Sequence, residues 1–177
     1  VPRRTRGNDF SQSDVEVLAN VGEWIDSEVY KNCSIIVECK YRKDIGIITL
    51  FREESKRQSK KLILRVGDFL LCRLDDFKDF FTDFVISSLE LTAITEKYSI
   101  ISNDKKEPKY LRQYAKQAAD YSEVFDEHHY YLPIVCMARA GTVGRIVSIS
   151  CNDLENIVNY MSAYEIVQEK TESSTNF

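Results

Sequence analysis

Residues 33–40 read Cys-Ser-Ile-Ile-Val-Glu-Cys-Lys, a near-continuous apolar run closed by the tripeptide Glu38-Cys39-Lys40. β-Branched residues in such a run favour a strand, and a strand apolar at successive positions is buried on both faces. The run therefore predicts a central strand in a sheet covered on both sides. Side chains alternate along a strand with period two, so Glu38 and Lys40 project to one side. Upstream, Asp14-Val-Glu-Val-Leu-Ala19 predicts a second strand over 13–21. Asp14 and Glu16 share one of its faces, with Val15 and Val17 on the other. If the two strands are neighbours, three carboxylates and one ammonium converge.

The remaining pattern interleaves strands with helices, which argues an α/β domain. The chain continues extended through 45–51, and the charged segment Arg52–Lys61 is either helical or a solvated loop. Lys61–Leu74, around Gly67-Asp68, reads as a hairpin or as a strand leading into a helix. Asp75 or Asp76 caps a helix over Phe77–Leu89, whose Phe77, Phe80, Phe81, Phe84 and Val85 recur at helical spacing as a core face. After the break at Asn103–Pro108 come a helix over 109–126, a strand over Tyr130–Ala138, a turn at Ala140–Gly144 and a strand over Arg145–Ser150. Pro133 marks an edge, a bend or a strand start. Asn152 or Asp153 caps a final helix, Leu154–Val167, and 168–177 form a polar tail. The expected architecture is one domain over 1–167, a central mixed β-sheet flanked by helices.

Composition narrows the function classes. Five cysteines, at 33, 39, 72, 136 and 151, have no Cys-x-x-Cys spacing, which argues against zinc ribbons and a disulfide framework and for a reducing compartment. No apolar stretch approaches the roughly 18–20 residues that span a bilayer. Val1–Gly7 has no apolar core of a secretory signal, so the expected location is intracellular, cytoplasmic or nucleoid/nuclear, with no membrane partner. The formal net charge is −4, yet local distribution outweighs the sum. Positive charge clusters at Lys40, Arg42 and Lys43 and again along Arg52–Lys61, read as a solvated surface or a grip on a phosphate backbone. Arg139 and Arg145 flank a turn where phosphate contact is an option. His128 and His129 point to opposite sides and do not chelate together. No phosphate-loop or dinucleotide-binding glycine motif is present.

The two strands at 13–21 and 33–40 resemble those of the PD-(D/E)xK nuclease superfamily, with its restriction-endonuclease-like fold. That family pairs an acid on one strand with an acid-x-Lys tripeptide on the next. Here Ile-Ile-Val-Glu38-Cys39-Lys40-Tyr looks like the motif strand, and Glu16-Val-Leu-Ala19 fits the upstream frame, with Asp14 two residues earlier on the same face. Which of Asp14 and Glu16 binds metal stays open. The match covers residues 13–41, and 46–107 then reads as an insertion. Gln117-Ala-Ala-Asp-Tyr121 resembles the Gln-x-x-x-Tyr helix of RecB-like members, with Gln113 one turn earlier.

The resemblance implies Mg²⁺, with Mn²⁺ as an alternative, held by Asp14, Glu16 and Glu38 and by the Cys39 carbonyl. Glu16, Glu38 and Lys40 would carry the chemistry, with Lys40 orienting the attacking water or stabilising charge on the phosphorane. Arg42, Lys43, Gln113, Gln117 and Tyr121 would contact nucleic acid. The expected activity is hydrolysis of phosphodiester bonds in DNA, with RNA the other substrate. Many members of such folds work as homodimers, though no residue pattern here carries that assembly. The alternative is a nuclease-like module that does not cut but binds nucleic acid or a protein partner within a larger assembly.

Overall fold

The computed structural model describes residues 15–42, 46–87, 94–122, 129–139 and 144–159, with the backbone alone of Val15, Tyr121 and Ser122. The strands are β1 (Val15–Asn20), β2 (Cys33–Arg42), β3 (Lys61–Val66), β4 (Phe69–Arg73), β5 (Tyr98–Asn103), β6 (Tyr130–Arg139) and β7 (Ile146–Ser150). All seven lie in one mixed sheet, ordered β1-β2-β6-β7-β4-β3-β5. The helices are α1 (Val21–Ile25), α2 (Gly46–Lys56), α3 (Leu74–Ile86), α4 (Lys109–Ser122) and α5 (151–159). β2 is an interior strand, antiparallel to β1 and parallel to β6. No helix among the described residues is long and apolar enough to cross a membrane.

Strand alternation splits the core in two. Cys33, Ile35 and Val37 of β2 join the core beneath α1, α3 and α5, where Trp24 packs edge-on against Phe77 and Phe81. Ile47, Ile48 and Phe51 of α2 and Leu111 and Tyr114 of α4 cover the opposite face. Residues 46–51 are thus helical and not extended, because those three apolar side chains fall on one helical face.

Other elements differ from expectation for equally local reasons. β3 and β4 form a hairpin around Gly67, whose φ of 60° suits a residue without Cβ. The chain then enters α3 directly at Leu74, so Asp75 and Asp76 occupy the first turn, where the helix dipole favours carboxylates, and do not cap it. α5 is capped by Ser150, whose Oγ accepts from the Asp153 N–H at 3.0 Å, and not by Asn152 or Asp153. Pro133 lies inside β6, where pairing with β7 begins only at Val135 and a missing N–H is tolerated. Residues 46–107 supply β3, β4 and β5, three of the seven strands, which lie together at one side of the sheet.

The fold contains a duplication that the sequence hides. β2-α2-β3-β4-α3 is followed by β5-α4-β6-β7-α5, the same order of elements. The two halves meet at β4 and β7, whose antiparallel register is symmetric about Leu71 opposite Ser148. Phe69 faces Ser150, and Arg73 faces Ile146 in return. One constant step along the chain relates Gly67 to Gly144, Phe69 to Ile146, Leu71 to Ser148 and Arg73 to Ser150. Both glycines have positive φ, 60° and 101°. The hairpins pair alike, Leu64 facing Leu71 as Val135 faces Ser148, although their first strands are not related by that step. Each half gives its first strand to the other: β2 pairs in parallel with β6, and β5 with β3.

Candidate functional site

Glu38 and Lys40 face α2 and α4 from β2, 1% and 5% exposed. Lys40 Nζ lies 3.3 Å from Glu38 Oε1 and 5.0 Å from the centre of the Tyr114 ring. The pair is roofed by an aromatic ring and its charges are matched to each other. Glu16 does not join it. In the β1–β2 register Glu16 stands opposite Val37 and Val15 opposite Glu38, and directly paired residues share a face. Val37 belongs to the core under α1 and α3, so Glu16, itself exposed, projects to the other side of the sheet from Glu38. The expected convergence of carboxylates fails by one residue of register.

Mg²⁺ takes several hard oxygen ligands, and the described residues do not assemble that set. A single carboxylate already held against an ammonium is what the motif strand offers. Cys39 sits opposite Cys136 inside the β2–β6 ladder. Among the described residues no three His, Cys, Asp or Glu side chains group to hold a metal ion. Asp14 and Lys43 lie outside the described residues, as does the side chain of Tyr121.

The helix echo also separates from the motif strand. α4 turns Leu111, Tyr114 and Ala118 inward, leaving Gln113 and Gln117 exposed on its outer side. Each glutamine is one position from an inward residue, a rotation of about 100° on a helix. They do not reach Glu38. His129 is structural, its Nε2 2.8 Å from Ser34 Oγ at the start of β2.

Charge collects elsewhere. Arg52 and Lys56 of α2, Arg73 at the end of β4 and Arg145 before β7 line a cleft of about 660 Å³ with Leu74, Gly144, Ile146 and, among the described residues, a single acid, Asp75. Arg73 Nη2 donates to Ser55 Oγ at 3.3 Å. The Arg145 carbonyl accepts from the Leu74 N–H at 3.0 Å, tying the two lips together. A Cβ on Gly144 would stand 3.8 Å from Arg52 Nη2. The basic rim continues sideways: Arg139 donates to Thr49 Oγ1 of α2, and Arg42, opposite Arg139 in register, lies 5.7 Å from the Tyr114 ring. The runs Arg52–Lys61 and Arg139/Arg145, distant in sequence, thus meet at one end of the sheet. In the sequence Arg73 carries no signal beyond its place before the Leu74-Asp75-Asp76 helix start.

Arg145 also reaches the Cys136 thiol on the neighbouring strand. Its hydrogen bond with Cys39, then burial, push the Cys136 thiol well above its ordinary value, with Arg145 opposing them. Burial, aided by Asp76, raises Cys72 as well. These thiols stay protonated and are poor nucleophiles or metal ligands.

The duplication supplies an internal comparison. The counterpart cleft, about 690 Å³, is lined by α4, the Asp68–Phe69 turn and the start of α5. There Arg65, Arg112 and Lys116 are matched by Asp68, Asp153 and Glu155. Arg112 donates to Asp68 at 2.8 Å and to Glu107 at 3.1 Å. The position equivalent to Arg145 is Asp68, and the position equivalent to Arg73 is Ser150. Two clefts of the same construction differ in charge: among the described lining residues one has three bases and three acids, the other four bases and one acid.

No family model, no curated protein and no solved structure matches this chain.

Proposed function

We propose that this chain is a nucleic-acid-binding module that grips the phosphate backbone in the cationic cleft and does not cut at Glu38. The carrying observation is the contrast between the duplicated clefts. The fold needs no excess of positive charge at this place, because the counterpart cleft is built without it. Arginine and lysine side chains drawn from α2, β4 and the entry to β7 suit a run of phosphates. The likeness to the PD-(D/E)xK nucleases then rests on the motif strand, where Glu38 and Lys40 act as a buried ion pair.

The test is fluorescence anisotropy with labelled DNA and RNA oligonucleotides over a series of salt concentrations. Affinity should fall steeply with salt, and Arg52→Ala, Arg73→Ala and Arg145→Ala should each weaken binding and lower the salt slope by about one. Arg112→Ala, in the counterpart cleft, should leave binding unchanged. Absence of binding at low salt, or binding that ignores the cleft arginines, removes the proposal. Incubation of plasmid and branched DNA with Mg²⁺ or Mn²⁺ should leave both intact. Cleavage abolished by Glu38→Gln in a folded protein would restore the hydrolase reading.

A further inference from the structure

Tyr41 is 70% exposed at the end of β2, an aromatic ring set out in solvent beside the basic rim. It does not belong to the core, and the binding proposal above gives it no task. Its position is specific. Tyr41 stands opposite Ala138 in the β2–β6 register, so both share the face of Cys136, the α1/α3/α5 side of the sheet. Arg145 reaches the Cys136 thiol on that same face. The small Ala138 therefore lies beside an aromatic ring on one strand side, with a guanidinium on the other. Arg42 and Arg139 project from the neighbouring positions to the opposite face.

We infer that the ligand of the cationic cleft is single-stranded nucleic acid, with an unstacked base seated on Tyr41 beside Arg145; this rests on the phosphate-binding reading. Aromatic rings paired with a positively charged groove are how single strands are held without reading sequence. A duplex keeps its bases stacked inside and offers none to the ring.

The experiment compares three ligands by anisotropy or competition: a single-stranded oligonucleotide, its duplex, and inorganic polyphosphate. The parent should prefer the single strand over the duplex. Tyr41→Ala should weaken single-strand binding about 5- to 100-fold, Tyr41→Phe should restore it, and neither should alter polyphosphate binding. Because the Tyr41 side chain is largely in solvent, its replacement leaves the fold intact. Single-strand binding unchanged in Tyr41→Ala, or a preference for duplex, overturns the inference. If Arg73→Ala and Arg145→Ala still lose polyphosphate in that case, the cleft stands and stacking alone falls. If those two variants bind all three ligands like the parent, the phosphate-binding reading falls with it.

Discussion

Taking a carboxylate and an ammonium out of water costs several kilocalories per mole each, and their attraction recovers that only with good geometry. Glu38 and Lys40 illustrate the asymmetry that follows. With Nζ 3.3 Å from Oε1 under the Tyr114 ring, removing one partner leaves a buried charge, whereas removing both leaves an apolar site. Lys40→Ala should therefore lower stability by about 3–5 kcal/mol, while Glu38→Met combined with Lys40→Met should be neutral or stabilising. Urea unfolding of the two variants measures this. A double variant as damaged as the single one would mean the pair does more than balance charge. This residue scale is also where the sequence was most and least informative. The period of two correctly set Glu38 beside Lys40 on one face. It is silent on how β1 slides against β2, and a slip of one residue decides whether Glu16 joins Glu38 or faces away.

Elements were legible where one periodicity ruled. The Phe77, Phe80, Phe81, Phe84 and Val85 stripe marks α3, and the run at 33–40 marks β2, because burial dictates both patterns. Element starts were not, because caps compete within a few residues. The clearest case lies at equivalent positions of the duplication. Ser150 caps α5 through its hydroxyl, while Arg73, at the same place before α3, is extended and makes no side-chain cap. Before α3, at the cationic cleft, a cation stands where a good cap could. The contrast predicts opposite effects on stability and binding. Ser150→Ala should lower stability by about 1 kcal/mol. Arg73→Ser should raise it by up to about 1 kcal/mol and weaken nucleic-acid binding. Thermal unfolding and anisotropy on the same preparations test the pair. An Arg73→Ser protein that is both less stable and unaltered in binding would refute the assignment of Arg73 to the ligand.

At the scale of the molecule, the exchange of first strands governs how the chain holds together. β2 precedes α2 and the β3–β4 hairpin in sequence, yet it pairs with β6 of the second half. β5 precedes α4 and the β6–β7 hairpin, yet it pairs with β3 of the first. The halves further share the β4–β7 seam. Neither half can complete its own sheet, so buried strands such as β2, apolar on both faces, would lose a neighbour if the chain were divided. The sequence does not show this exchange, because no local pattern records which strand another will choose. The cationic cleft crosses the same seam, taking Arg52, Lys56 and Arg73 from one half and Arg145 from the other. Cutting the chain between Ser87 and Ile94 should therefore give two fragments that are unfolded alone. Mixed or co-expressed, they should assemble into a one-to-one complex with the circular dichroism of the intact chain. Nucleic-acid binding should return only with that complex, and with Arg145→Ala in the second fragment it should be weakened as in the intact protein. A first fragment that folds as a monomer, with cooperative unfolding and native near-ultraviolet dichroism, would show that the strand exchange does not hold the halves together.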